Sequence, residues 1–133
     1  MNIWIDILHI PQLNFYKPLI EILARKGDFV YVTVLKRGKL PVIAKRELAT
    51  ISNVKVDVIG KHHMTKLSAI LEANLLRIPH IFSWKRKKAI NVAFSNGFHA
   101  ALASNCYNIP NYSFDDDPQT RDYKYKIKYN TIC

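Results

Sequence analysis

Cysteine is nearly absent: Cys106 and Cys133 are the two in 133 residues. They are too few and too scattered for a disulfide framework or a zinc site, and both are expected as reduced thiols of a cytoplasmic protein. Glycine is scarce, at four. No Gly-x-Gly-x-x-Gly or Walker pattern follows any apolar run, so a dinucleotide or P-loop reading has little support and no cofactor is expected. No apolar run is long enough to span a membrane, and the N-terminus lacks a signal-peptide pattern. Acidic side chains are outnumbered, 10 against 20 Lys and Arg, for a net charge of +10. That balance favours anionic partners such as nucleotides, acidic lipids or nucleic acid, and does not choose among them.

What is present is an apolar content of 49%, enough for one globular domain with a real core. The chain is organised around its opening. Ile3, Trp4, Ile5, Ile7 and Leu8 form a short β-branched run that reads as a strand buried on both faces, as in a parallel sheet. A polar loop with His9, Pro11, Gln12 and Asn14 follows. A helix is then expected from Pro18, with the proline in its first turn, to a left-handed cap at Gly27.

Further strands are read at Phe29–Leu35, Val54–Ile59, Ala89–Phe94 and Ile109–Phe114. The helices between them are read at Leu40–Ile51, from Thr65 with a kink at Pro79, and at Phe98–Tyr107. Five strands alternating with helices predict an α/β fold: a doubly wound, Rossmann-like parallel sheet of order 3-2-1-4-5. Its switch point lies between strands one and four, which brings His9–Asn14 beside Ser95–His99. Residues 1–118 form the domain. In 119–133, Tyr123, Tyr125, Ile127 and Tyr129 alternate with lysines, the pattern of an edge strand or a basic tail.

The site candidates follow from that placement. His9 and His99 have the chemistry of a general base near neutral pH. Gln12, Asn14, His62, Ser95, Asn96 and Gly97 are candidate binding residues in the loops. His62 and His63 alone make no metal site, and none is expected. Asp115, Asp116 and Asp117 read either as ligands of sugar hydroxyls or a cation, or as the cap of a turn before Pro118. Asp6 is expected to fix its loop through backbone amides. Trp84 with Lys85, Arg86, Lys87 and Lys88, beside Leu75, Leu76, Ile78, Ile81 and Phe82, reads either as a helix end complementing its dipole or as a peripheral membrane-surface element.

Trp4-Ile5-Asp6, Pro11 and Phe15-Tyr16-Lys17-Pro18-Leu19 resemble the opening of an uncharacterised archaeal and bacterial family. That family is related to GT-B glycosyltransferases and UDP-N-acetylglucosamine 2-epimerases. Ile59-Gly60-Lys61-His62 and the Ser95-Asn96-Gly97 to Asp116 pattern extend the likeness to Pro118. Gln12, Asn14 and Asn96 stand where that family is expected to carry histidine. The resemblance implies the acceptor-side half of a GT-B-like glycosyltransferase, taking a sugar or lipid-linked acceptor. The nucleotide-sugar would be held by a separate or missing donor-binding domain. The rival is a non-enzymatic basic module for nucleic acid or an anionic membrane. Against nucleic acid, the aromatics lie mostly in predicted strands and interleave with lysine only in the tail.

Overall fold

The computed structural model describes residues 1–60, 67 and 75–114, with the backbone of 130–132. In order these form β1 (Asn2–Ile7), α1 (Ile10–Arg25), β2 (Phe29–Leu35), α2 (Leu40–Leu48) and β3 (Val54–Ile59). There follow α3 (Arg77–Arg86), β4 (Val92–Ser95), α4 (Phe98–Cys106), β5 (Asn111–Phe114) and β6 (Asn130–Ile132). The sheet is parallel throughout, in the order β3-β2-β1-β4-β5-β6. The expected 3-2-1-4-5 arrangement is therefore the architecture, with β6 as a short strand beyond β5. The alternating segment 123–129 lies outside the described residues.

The two faces of the sheet are chemically unlike. Ile3, Ile5 and Ile7 of β1 join Val30, Val32 and Val34 of β2 in one core. Leu13, Tyr16 and Ile20 of α1 and Leu40, Ala44 and Leu48 of α2 cover it at helical spacing. Trp4, Ile59 and Ala93 face the other way, onto Ile81 of α3 and Ala100 and Ala103 of α4. The two alanines let α4 lie close on short β4 and β5.

Several boundaries differ from the sequence reading, each for a local reason. The first helix starts at Ile10, so Gln12 and Asn14 belong to it and not to a loop. Pro11 sits in its first turn, where a missing N–H costs nothing. Pro18 therefore falls inside the helix. The carbonyl it leaves without a helix partner is that of exposed Asn14, which water can reach. The helix ends as expected at Gly27, with φ 88°. There the Gly27 N–H bonds to Ala24 O at 3.0 Å and the Asp28 N–H to Leu23 O at 3.1 Å.

Helix α2 stops at Leu48, because the chain must turn through Asn53, at φ 60°, to enter β3. Pro79 is the third residue of α3, and the chain just before that helix, Leu75–Leu76, is π-helical; Thr65 lies outside the described residues. The fourth strand begins only at Val92, since Ala89 and Asn91 bind Asn2: the Asn91 side chain accepts the Asn2 N–H at 2.7 Å. The fifth begins at Asn111. The Ile109 N–H closes α4 on Ser104 O at 2.8 Å, and Pro110 has no N–H to give.

Candidate functional site

A polar row crosses the otherwise apolar sheet. In register, Asp57 of β3 stands beside Thr33 of β2, Thr33 beside Asp6 of β1, and Asp6 beside Ser95 of β4. All four lie on the face that carries α3 and α4. A carboxylate there has to be fully bonded. Asp6, 0% exposed, accepts the Thr33 hydroxyl at 2.6 Å and both terminal nitrogens of Arg77, at 2.7 and 2.9 Å. The Trp4 indole donates to Thr33 Oγ1 at 2.8 Å, and Arg77 Nε reaches Ile59 O at 3.2 Å. The expectation that Asp6 binds backbone amides is thus corrected: its partners are side chains. A forked, bidentate pair is the geometry in which a buried ion pair recovers its desolvation cost.

At the carboxyl ends of the strands the β1–α1 and β4–α4 loops meet. The Tyr16 hydroxyl donates to Asn96 Oδ1 at 2.7 Å, binding α1 to the loop after β4. Burial, then the Asp6 charge, raises the Tyr16 pKa, so the hydroxyl stays a donor. With one lone pair of its oxygen engaged, Asn96 keeps its amide N–H groups and a second lone pair for a ligand. A Cβ on Gly97 would lie 2.8 Å from Leu8 Cδ1 and 3.5 Å from Asp6 Oδ2, so a side chain there would have to displace the end of Leu8 where the two loops approach. Gln12 holds its own loop by accepting the Leu8 N–H at 2.8 Å. Ser95 is buried and donates to Asn111 Oδ1 at 3.0 Å. Both are engaged within the protein, whereas Asn14 and Phe15 are exposed on α1. Phe15 packs against Phe114 at 5.2 Å yet is 55% exposed, and Ile10 and Phe98 are also uncovered.

The two histidines are placed differently. His9 is exposed at the start of α1, within reach of the Arg37 charge in the β2–α2 loop after the adjacent parallel strand. Partial desolvation of its ring, then the Arg37 charge, lowers its pKa below 6.5, leaving it neutral and able to accept a proton near pH 7. His99 lies within α4 and is 4% exposed. Arg37→Gln is expected to raise the His9 pKa towards 6.5 without reaching it, since desolvation is the larger cause. An imidazole proton NMR titration checks this, and an unmoved His9 curve would refute the coupling. Between the lowered value and 6.5 the unfolded chain binds the extra proton. His9 therefore removes stability as pH falls through 6.5, and Arg37→Gln lessens that loss.

Residues 1–96 match a protein family of unknown function, DUF354. The chain belongs to that family. The matched stretch ends on Asn96, so the β1–α1 loop, the polar row and the Tyr16–Asn96 contact all lie in the DUF354 part. No curated protein matches this DUF354 chain.

Sequence reasoning missed Arg77, Thr33 and Arg37 in this DUF354 site. The available signal was Asp6, an acid inside a strand of isoleucines, which demands a buried donor partner; 20 cations left the choice open. The cluster at the end of α3 is largely engaged. The Trp84 indole donates to Asp57 Oδ2 at 2.8 Å, and its ring lies 5.1 Å from that of Trp4. Lys85 lies over Tyr107 at 4.6 Å and Lys88 over Tyr31 at 5.7 Å, while Arg86 and Lys87 are exposed. His62, Asp115 and Asp116 lie outside the described residues. Among the described residues no group of three His, Cys, Asp or Glu could hold a metal ion, and no helix is long and apolar enough to cross a membrane.

Proposed function

We propose that this DUF354 chain is the acceptor-side domain of a GT-B-like glycosyltransferase. Its acceptor is a sugar or lipid-linked species, and it is inactive without a donor-binding half. The observation carrying this reading is the convergence at the switch point: Tyr16 bonded to Asn96, with exposed His9, Asn14 and Phe15 on the same rim. An aromatic face beside amide groups suits a sugar ring, and a neutral histidine suits its hydroxyl.

In this reading His9 takes the proton of the acceptor hydroxyl. The oxygen attacks the anomeric carbon of the nucleotide-sugar, and the nucleoside diphosphate leaves with the bonding electron pair. His99, nearly closed to solvent, is the weaker candidate for the base. A peripheral membrane contact would rest on Arg86 and Lys87, because Trp84, Lys85 and Lys88 face the protein.

The test is a radiolabelled transfer assay. The chain alone should move no sugar from any nucleotide-sugar donor, since positioning of all three reacting groups supplies much of the rate. Co-expression with a donor-binding half, sought first in the downstream reading frame, should produce transfer. Activity of the lone chain would end the half-enzyme reading.

A further inference from the structure

The β2–α2 loop is Lys36-Arg37-Gly38-Lys39, at the carboxyl end of β2 and next to the loop that carries His9. Several other cations of the fold have partners, while Arg25, Lys26, Lys45, Lys55, Arg86 and Lys87 are spread singly or in pairs over other exposed surfaces. Lys17 pairs with Glu47 at 2.8 Å, Arg77 with Asp6 at 2.7 Å, and the N-terminal ammonium with Asp28 at 2.7 Å. Lys85 and Lys88 lie over aromatic rings. Lys36, Arg37 and Lys39 are exposed and have no acidic partner among the described residues. The turn passes through Gly38 at φ 51°, and a Cβ placed there would touch nothing within 4 Å. The outer side of the turn is therefore open to solvent. Three cations in one loop at the carboxyl end of the sheet repel one another, an anion among them relieves that repulsion, and neutral His9 on the neighbouring loop can add a ring N–H donor.

We propose that His9, Lys36, Arg37 and Lys39 form a cradle for a phosphate or diphosphate group. A phosphate offers enough oxygens for the Arg37 fork and the two ammonium groups at once. Set in the proposed function, on which it rests for its biological meaning, the cradle makes the acceptor a phosphate-bearing one. The binding itself requires no donor half, so it stands or falls separately from transfer activity.

Calorimetric titration of the full chain with inorganic pyrophosphate tests the cradle. A Lys36→Gln, Arg37→Gln, Lys39→Gln variant should lose at least about tenfold in affinity, the change equivalent to roughly 1.4 kcal/mol. An Arg25→Gln, Lys26→Gln, Lys55→Gln variant loses the same net charge at the far end of the strands and should lose less than about twofold if the effect is local. Matching thermal melts establish that both fold. An equal loss in the two variants, or no pyrophosphate binding by the parent chain, would overturn the cradle.

A second arm separates the source of the phosphate. If vesicles containing phosphatidic acid capture the parent chain, and pyrophosphate releases it, a lipid phosphate enters the cradle. If the chain ignores such vesicles yet binds pyrophosphate, the group belongs to a soluble ligand. Capture by vesicles that pyrophosphate does not reverse, with the loop variant captured equally, would place the anion site elsewhere and count against the proposal.

Discussion

Arg77→Met is expected to destabilise the domain by about 3–5 kcal/mol, a large part of the 5–15 kcal/mol that holds a typical domain folded. The reason is the position of Asp6. It lies in the middle strand of the sheet at 0% exposure, and two of its hydrogen bonds come from the guanidinium. Removing the arginine leaves a carboxylate in a dry interior with the Thr33 hydroxyl as its remaining donor among the described residues. The effect should be specific to breaking the pair. An Asp6→Leu, Arg77→Met double replacement removes both charges and should recover most of the loss, because apolar groups of similar volume often replace a buried ion pair at little cost. Urea unfolding of the parent, the two single variants and the double variant gives the coupling energy directly. A loss under about 1 kcal/mol for Arg77→Met would mean that water reaches Asp6 and that the pair contributes little.

His9→Ala in a reconstituted, active enzyme is expected to lower turnover on the order of a hundredfold or more with folding intact. Exposed His9, with its lowered pKa, is neutral near pH 7 and stands on the rim of the site. His99→Ala should act differently. That side chain is 4% exposed inside α4, so its loss should appear in the melting temperature before it appears in kcat. The pH profile of kcat/KM supplies a second readout. Its acid limb should report a group below 6.5, and Arg37→Gln should move that limb upward, in the direction of the His9 shift. Full turnover by His9→Ala would remove it from the mechanism, and loss in His99→Ala at unchanged stability would transfer the role.

The strand order was legible because β-branched runs such as Phe29–Leu35 are short, nearly all apolar and separated by helical patterns, with Val54–Ile59 alternating valine with Lys55 and Asp57. Short apolar strands between helices are what a covered parallel sheet demands. The meeting of the β1–α1 and β4–α4 loops followed from the same order. The start of α1 was not legible, because two prolines, Pro11 and Pro18, each suit a first turn. Only packing of Leu13 and Tyr16 on β1 decides for the earlier one. The division of labour among polar residues was equally hidden. Gln12 and Ser95 are polar like Asn96, but their partners are a backbone amide and a side chain of the neighbouring strand, whereas the partner of Asn96 is Tyr16 of α1. A side chain's partner across 71 residues, as with Asp6 and Arg77, depends on how two helices and three strands settle. No local pattern encodes it.

The reach of Arg77 has a mechanical consequence. Its guanidinium binds Asp6 on β1 and the Ile59 carbonyl on β3, so it bridges over β2, whose Thr33 it leaves bonded to Asp6. Adjacent strands sit about 4.8 Å apart, so this single side chain ties together strands roughly twice that distance from one another. Shear of β3 against β1 strains this clamp together with the ladder hydrogen bonds of β2, so the end of edge strand β3 is coupled to the centre of the sheet.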